Sequence, residues 1–463
     1  MVERLPFAVG LLLTLITAAT NIGFIALDDY VYNVSVVVPA QNFSVHSIIP
    51  LVDFRSPVPS LVLHSIAQVA FQLGMSQPTL QFRFVLMILG LFSFSTVFFT
   101  TMAITSGRTR QVAAWLLATF FLMPLLLSRP MYESLTIPYL FLSLYFACRY
   151  DQKGAMTHLV AAVFFVAVAS MFRFQVGLCG IALFALVLWK RHLSHVIVLV
   201  TSGSVFFLLA GLPDWILKGE WHASLKGYVA FNLAHSSTFG VTPFYTYFLL
   251  FLGLSLPLVL FSRFRGLPWK IEYRPLLPAL AYFAFFFVVH SAVPHKEERF
   301  MIPMVPLFVV LVAPLVSYLW EERWRRYLGL ALNFLLLPVI CLSEPQRNVI
   351  SFVKYLDEHP ELQTIISVDD TLVLFPEAFL RKVPKIVLAP SLDLSPFLRG
   401  ADCETGVIVR RDIVARTGMA LGKWKKISDF EPALFEGWFV KLNPKHNARR
   451  GPLELYRAAH CGG

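Results

Sequence analysis

Charge is what this 463-residue sequence has least of. Asp, Glu, Lys and Arg together make up 14%, against about 25% in ordinary soluble domains. Cysteine is sparse too, at five. No CxxC pair and no HExxH helix occurs, which argues against a dedicated zinc site. No internal repeat or low-complexity tract stands out. Hydrophobic residues reach 57%, 43 of them Phe, and the mean hydropathy is +0.67. Disorder and nucleic-acid binding are therefore poor explanations for the net charge of +11, and its distribution along the chain has to be read first.

Apolar runs near spanning length alternate with short basic connectors. The sequence predicts about eleven transmembrane helices, near 5–27, 81–105, 111–128, 134–148, 155–172, 176–189, 195–212, 244–262, 276–294, 301–320 and 327–342. The first run exceeds a signal-peptide core and no small-residue cleavage site follows it, so it reads as a mature span. One set of connectors (Arg4, Arg108, Arg110, Arg149, Lys153, Lys190, Arg191, Arg263, Arg265, Lys270, Arg274, Arg323, Arg325, Arg326) holds 14 basic residues. The opposite set, up to residue 342, holds eight. Counting basic residues puts the first set in the cytoplasm, and an odd number of spans leaves residues 343–463 outside it.

The division expected is thus 1–342 as a transmembrane catalytic domain, with an outer loop over 28–80, and 343–463 as a lumenal or periplasmic α/β domain. In the latter, Ile365–Val368, Thr371–Leu374, Lys385–Leu388 and Gly406–Val409 read as strands bounded by Pro, Gly and Asp. Gln346–Leu356 reads as a helix. Cys403 and Cys461 fall in this polar part, where a disulfide requires an oxidising compartment. The sequons at Asn33 and Asn42 lie in the outer loop and are weak signals of any compartment.

Polar groups converge on the outer face. Asp28 and Asp29 end the first predicted span; Asp53 and Arg55 follow in the loop. Arg129 and Glu133, Arg173, and then His295, Lys296, Glu297, Glu298 and Arg299 occupy the other outer turns. Each has a plainer reading: Arg129 and Glu133 have the spacing of a structural pair, Arg173 suits an interfacial anchor, and a mixed charge run suits a solvated turn. Co-location lifts the set, because charges in tight turns at helix ends are costly unless paired or used. Paired carboxylates facing a His/Lys/Arg cluster beside a membrane suit a general base and a binder for a lipid-linked phosphate.

The string HSAVPHKEERFMIPMVPLF at 290–308 resembles the signature of the family 22 glycosyltransferases. LDDYVYN, FRSPVPSLVLH, SRPMYESL and FGVTPFYTYFLLFLGLSLP resemble other segments of that family in the same order, over about 70% of the chain. The resemblance implies an α-helical polytopic fold of the GT-C type. It implies inverting transfer of mannose from dolichyl- or polyprenyl-phosphate-mannose to a glycan or glycolipid hydroxyl, at a non-cytoplasmic site in the bilayer. Asp28 or Asp29 would be the base; His295, Lys296, Arg299 and Arg129 would hold the donor phosphate. Arg55, Glu133, Glu297, Glu298 and Arg173 would support the site. Two departures stand out: the family's Asp-Glu is Asp28-Asp29 here, and Thr242 replaces its His. No cofactor or metal is expected, although an acidic pair is capable of holding one. Compact loops, and the lack of a cytosolic C-terminal retrieval signal, favour a bacterial inner membrane over the endoplasmic reticulum. The alternatives are a GT-C enzyme for another lipid-phosphate sugar and a lipid-linked sugar flippase. A transporter calls for ionisable residues at mid-membrane depth and often an internal repeat.

Overall fold

The structure is a computed structural model that describes residues 3–24, 54–235, 238, 240–259, 273–320, 323–369, 371–372, 375–390, 403–417 and 424–461. The chain divides into two compact units, one formed by Met1–Ala19, Phe43–Ile66 and Val85–Cys341, the other by Thr20–Asn42, Ala67–Phe84 and Leu342–Gly463.

The larger unit is helical. Its elements are α1 (Arg4–Thr20), α2 (Val58–Gln72, running on into the second unit), α3 (Pro78–Ile104), α4 (Gly107–Thr119), α5 (Met123–Ser128), α6 (Tyr132–Lys153), α7 (Met156–Phe172), α8 (Leu178–Trp189), α9 (Leu193–Ala210), α10 (Leu212–Lys218), α11 (Ala223–His235), α12 (Thr246–Val259), α13 (Leu277–Ala292), α14 (Met304–Leu319) and α15 (Arg323–Cys341). Among the described residues, Pro78–Ile104, Leu193–Lys218 and Arg274–Ala292 are long and apolar enough to cross a bilayer. Six shorter apolar helices accompany them. Large apolar side chains on α9, such as Leu193, Ile197 and Phe207, are exposed, as lipid contact requires, whereas α14 is buried along nearly its whole length. Close helix packing relies on small residues: a Cβ at Gly10 of α1 would stand 2.8 Å from the Cα of Ala118 on α4.

Two expected spans are corrected. The run at 111–128 is not one helix, because Phe120 is extended and Pro124 opens a new one. Proline lacks the N–H of an interior turn and is tolerated in the first turn. The first helix ends at Thr20, short of residue 27. Its exit is held by hydrogen bonds: the Asn21 side-chain amide donates to the Ser343 carbonyl (3.0 Å) and the Ile22 N–H to the Glu344 carboxylate (3.2 Å). Asp28 and Asp29 therefore do not terminate α1.

The second unit carries a five-stranded sheet in the order β2-β1-β3-β5-β4, with β1 (Thr364–Val368), β2 (Lys385–Ala389), β3 (Thr405–Arg410), β4 (Trp424–Phe430) and β5 (Leu453–Ala458). β1 runs parallel to β2 and β3; β5 is antiparallel to β3 and β4. Ile366, Val368, Val407, Val409, Trp424 and Tyr456 pack one core. Helix α16 (Arg347–Glu358) buries Val349, Ile350, Phe352, Val353 and Leu356 at helical spacing. Helices α17 (Arg411–Thr417) and α18 (Leu434–Leu442) complete the unit's labelled elements. The expected strand at 371–374 is not formed at its start: Thr371 and Leu372 make a turn, closed by the Thr371 hydroxyl on the Val368 carbonyl (2.6 Å). Cys403, just before β3, and Cys461, just after β5, form a disulfide with Cα atoms 5.3 Å apart.

Candidate active site

Extended residues between helices put the polar groups in place. Arg129 follows α5 in an extended conformation (φ −80°, ψ 144°), as a residue before proline prefers. It is one of the largest fully buried side chains. Glu133 enters the first turn of α6, where a carboxylate faces the positive end of the helix dipole. Arg173 is extended between α7 and a single 3₁₀ turn that leads to α8. Its guanidinium meets the Glu133 carboxylate at 3.2 Å, both nearly dry at 9% and 3% side-chain exposure.

Arg173 also lines a recess, together with Arg55, Ser56, Tyr132, Gln175 and Tyr228. Ser56 accepts the Val58 N–H at 3.3 Å and so caps α2. Arg55 lies 5.5 Å from the Tyr132 ring centre. Its carbonyl is gripped by Lys218 Nζ (3.0 Å) and the Ser224 hydroxyl (2.8 Å). Buried Asp214 in turn accepts the Ser224 N–H at 2.8 Å. Phe231 stacks on Phe54 at 4.7 Å, and Gln175 donates to the Tyr228 hydroxyl. The α10–α11 hairpin is thus the mount on which Arg55 sits.

The turn after α13 closes the other side. The Thr242 N–H donates to the Pro294 carbonyl (3.1 Å), and Lys296 Nζ donates to the carbonyls of Thr242 (3.0 Å) and Val293 (2.6 Å). Two of the three ammonium donors are therefore spent on backbone, and desolvation lowers the Lys296 pKa. His295 Nε2 lies 3.0 Å from the Glu297 carboxylate, which also accepts from Arg299 Nη2 at 3.0 Å. Burial would raise the Glu297 carboxyl, but Arg299 and His295 hold it below the ordinary carboxylate range. The Tyr247 hydroxyl donates to the Glu297 carbonyl (3.2 Å). Glu298 is exposed. Phe300 joins the two sides, its ring centre 5.1 Å from the Arg173 guanidinium and 5.6 Å from that of Arg299.

The structure therefore gathers Arg55, Glu133, Arg173, Glu297 and Arg299, with His295 and Lys296 tied into the same turn. Asp28, Asp29 and Asp53 lie outside the described residues. Sequence reading placed Gln175 beside Arg173 on the outer face, but missed Tyr132, Tyr228 and Phe300, and the buried Asp214–Lys218–Ser224 mount. The two last aromatics had no local signal, but a charge pair in the apolar GLPDWILKG segment marks Asp214 and Lys218. Among the described residues, one cluster has metal-ligand types in reach of one another, Cys403, His460 and Cys461. Its two sulfurs are joined as the disulfide, so neither is a thiolate.

A family model described as the Alg9-like mannosyltransferase family matches residues 51–364. GPI mannosyltransferase 3 of Saccharomyces cerevisiae is 27% identical over 151 residues, covering 29% of this chain and 24% of that protein. The Debaryomyces hansenii protein of the same name is 28% identical over 187 residues, 37% of this chain and 32% of that one. The S. cerevisiae Dol-P-Man:Man(7)GlcNAc(2)-PP-Dol alpha-1,6-mannosyltransferase is 30% identical over 194 residues, 40% and 34% respectively. The matched length is thus a quarter to a third of these relatives. Among solved structures, ArnT from Cupriavidus metallidurans bound to undecaprenyl phosphate superposes with a TM-score of 0.59 at 12% identity, over 99% of this chain and 98% of that one. Its apo form gives 0.60 at 11% identity, with the same coverage. At that identity the likeness is one of fold, the GT-C arrangement of a multi-pass membrane protein. A model match over more than half its length makes this chain a member of the Alg9-like mannosyltransferase family.

Proposed function

We propose that the protein is an inverting glycosyltransferase that moves mannose from a dolichyl- or polyprenyl-phosphate-mannose to a hydroxyl of a glycan or glycolipid. The observation that carries this is that Arg55 and Arg173 line one recess while Arg299 lies across the Phe300 ring from Arg173, cations that suit a phosphate-bearing donor in a protein of this family. Arginine forks suit phosphate oxygens better than a point charge does. The acceptor oxygen attacks the anomeric carbon, and the new C–O bond forms as the bond from that carbon to the phosphate oxygen breaks. The hydroxyl proton passes to the carboxylate of Asp28 or Asp29. The bonding pair leaves with the lipid phosphate, whose charge Arg299 and His295 stabilise, with Lys296 giving its third donor and Arg129 as a further cation. The transition state is oxocarbenium-like, as in glycoside hydrolysis. The scheme uses neither metal nor cofactor.

The site and residues 343–463 face away from the cytoplasm in this reading, and the eleven expected spans set that orientation. The Cys403–Cys461 disulfide supports it, because such bonds persist in oxidising compartments. A bacterial inner membrane remains the preferred location, with the endoplasmic reticulum as the alternative.

The test is transfer of labelled mannose from polyprenyl-phosphate-mannose by the reconstituted protein. Asp28→Asn or Asp29→Asn should lower turnover at least about 100-fold with donor binding retained, the range of general base catalysis. Near wild-type rates in both variants would remove the pair as the base. Turnover of a different lipid-phosphate sugar alone would change the donor, and transbilayer movement of a lipid-linked sugar without chemistry would make the protein a flippase.

A further inference from the structure

Helix α18 in the second unit turns large apolar side chains outward. Leu434 is 64% exposed, Trp438 52%, Phe439 50% and Leu442 82%. At about 100° per residue, these four and the half-buried Phe435 fall in one arc of roughly 140°, with Lys441 at its edge. The opposite face is anchored: Glu436 is buried and accepts the Gln346 N–H at 3.0 Å, with Arg450 at 3.9 Å. Soluble surfaces seldom group such side chains unless something covers them.

We propose that α18 is an interfacial helix, its apolar arc seated in the headgroup boundary of the bilayer that the rest of the chain spans. Composition identifies the occupant. Trp, Phe and Leu on one face, with Lys441 at its edge, make the pattern of a helix lying in the membrane plane. Lys441, at the border of the arc, reaches lipid phosphates while its stem stays in the apolar layer. Chain connectivity supplies proximity. Gln346, which docks on α18, follows Cys341 at the end of α15 by five positions, a length that spans at most about 18 Å. The inference rests on the membrane character of the chain and is independent of the sugar it transfers.

Trp438 fluorescence in the full-length protein tests it, read as the difference between wild type and Trp438→Phe. In bilayers with bromine on the upper acyl carbons, that difference should be quenched several-fold relative to unbrominated lipid, and aqueous acrylamide should have little effect. A second reading keeps every tryptophan: Leu442→Cys labelled with a polarity-sensitive dye, feasible because Cys148, Cys179 and Cys341 are buried. Its emission should shift to the blue on reconstitution, and Phe439→Glu should abolish the shift. Strong acrylamide quenching with no effect of bromine would put α18 in water and overturn the proposal. Protection from both quenchers would mean a protein cover, such as a second copy, and would overturn it equally.

Discussion

Two ion pairs flank Phe300, and they differ mainly in water. Glu133–Arg173 is dry, with side chains 3% and 9% exposed. Glu297–Arg299 is wetter, at 34% and 18%. A dry pair gains little from association once desolvation is subtracted, yet breaking it strands a buried charge. A wetter pair costs less to form and can exchange partners. The first is thus suited to fixing the shape of the recess, while the second can release an arginine edge to an incoming phosphate. Two pairs of the same chemistry, on either side of one ring, are thereby fitted to different tasks.

The largest effect should come from breaking the dry pair alone. Arg173→Ala leaves Glu133 buried and unpaired, a loss of about 3–5 kcal/mol, and should sharply lower the unfolding midpoint and folded yield. Adding Glu133→Gln should restore part of that loss, since no isolated charge remains. An unchanged midpoint in Arg173→Ala would show that the pair is not load-carrying for the fold. Arg299→Ala should do the reverse. Its midpoint should hardly move, while kcat/KM for mannosyl transfer falls about 10–150-fold, the equivalent of about 1.5–3 kcal/mol of charge-assisted hydrogen bonding. Normal kinetics would return this turn to a solvated surface feature.

The mount under Arg55 should give an intermediate signature. Asp214→Asn weakens the hold on Ser224 and, through it, on the Arg55 carbonyl, at a cost of about 1–3 kcal/mol. A raised KM at constant kcat is expected; loss of stability with unchanged kinetics would leave the hairpin a purely structural role. The smallest effect concerns pH. Because the Glu297 carboxyl is held below its ordinary range when folded, its contribution is present above the unfolded value and lost as pH falls through the folded one. The stability of Glu297→Gln should therefore converge with wild type on acidification, and parallel profiles would dismiss the contact as inert.

Helical turns with charge at their ends were legible: Arg129, Glu133, Arg173 and the residues from His295 to Arg299 carry a local signal, an ionisable group in an apolar run. Their partners were not. The i,i+4 spacing of Arg129 and Glu133 suggested a pair, but the acid's ion-pair partner includes Arg173, forty positions on, which no period reveals. Strands β4 and β5 were also unread, because WKKISDF and LELYRA intersperse charges among their apolar residues. Asp429 of β4 and Glu454 of β5 join a lattice around Arg411 of α17, which meets Asp429 (3.0 Å), Glu431 (2.7 Å) and Glu454 (2.9 Å). Charges within a strand, whether exposed as at Asp429 or buried as at Glu454, leave it looking like a loop to any reading based on apolar runs.

The exit of α1 has a consequence in time. The Asn21 amide and the Ile22 N–H are satisfied by Ser343 and Glu344, 322 positions later. A ribosome adding roughly 5–20 residues per second needs about 15–65 s to supply those partners. Until then these two contacts at the exit of the first helix are missing, although nearly every membrane helix has already been made. Nascent chains arrested before residue 343 should therefore be cut readily by protease just after Thr20, and chains released beyond residue 344 should resist.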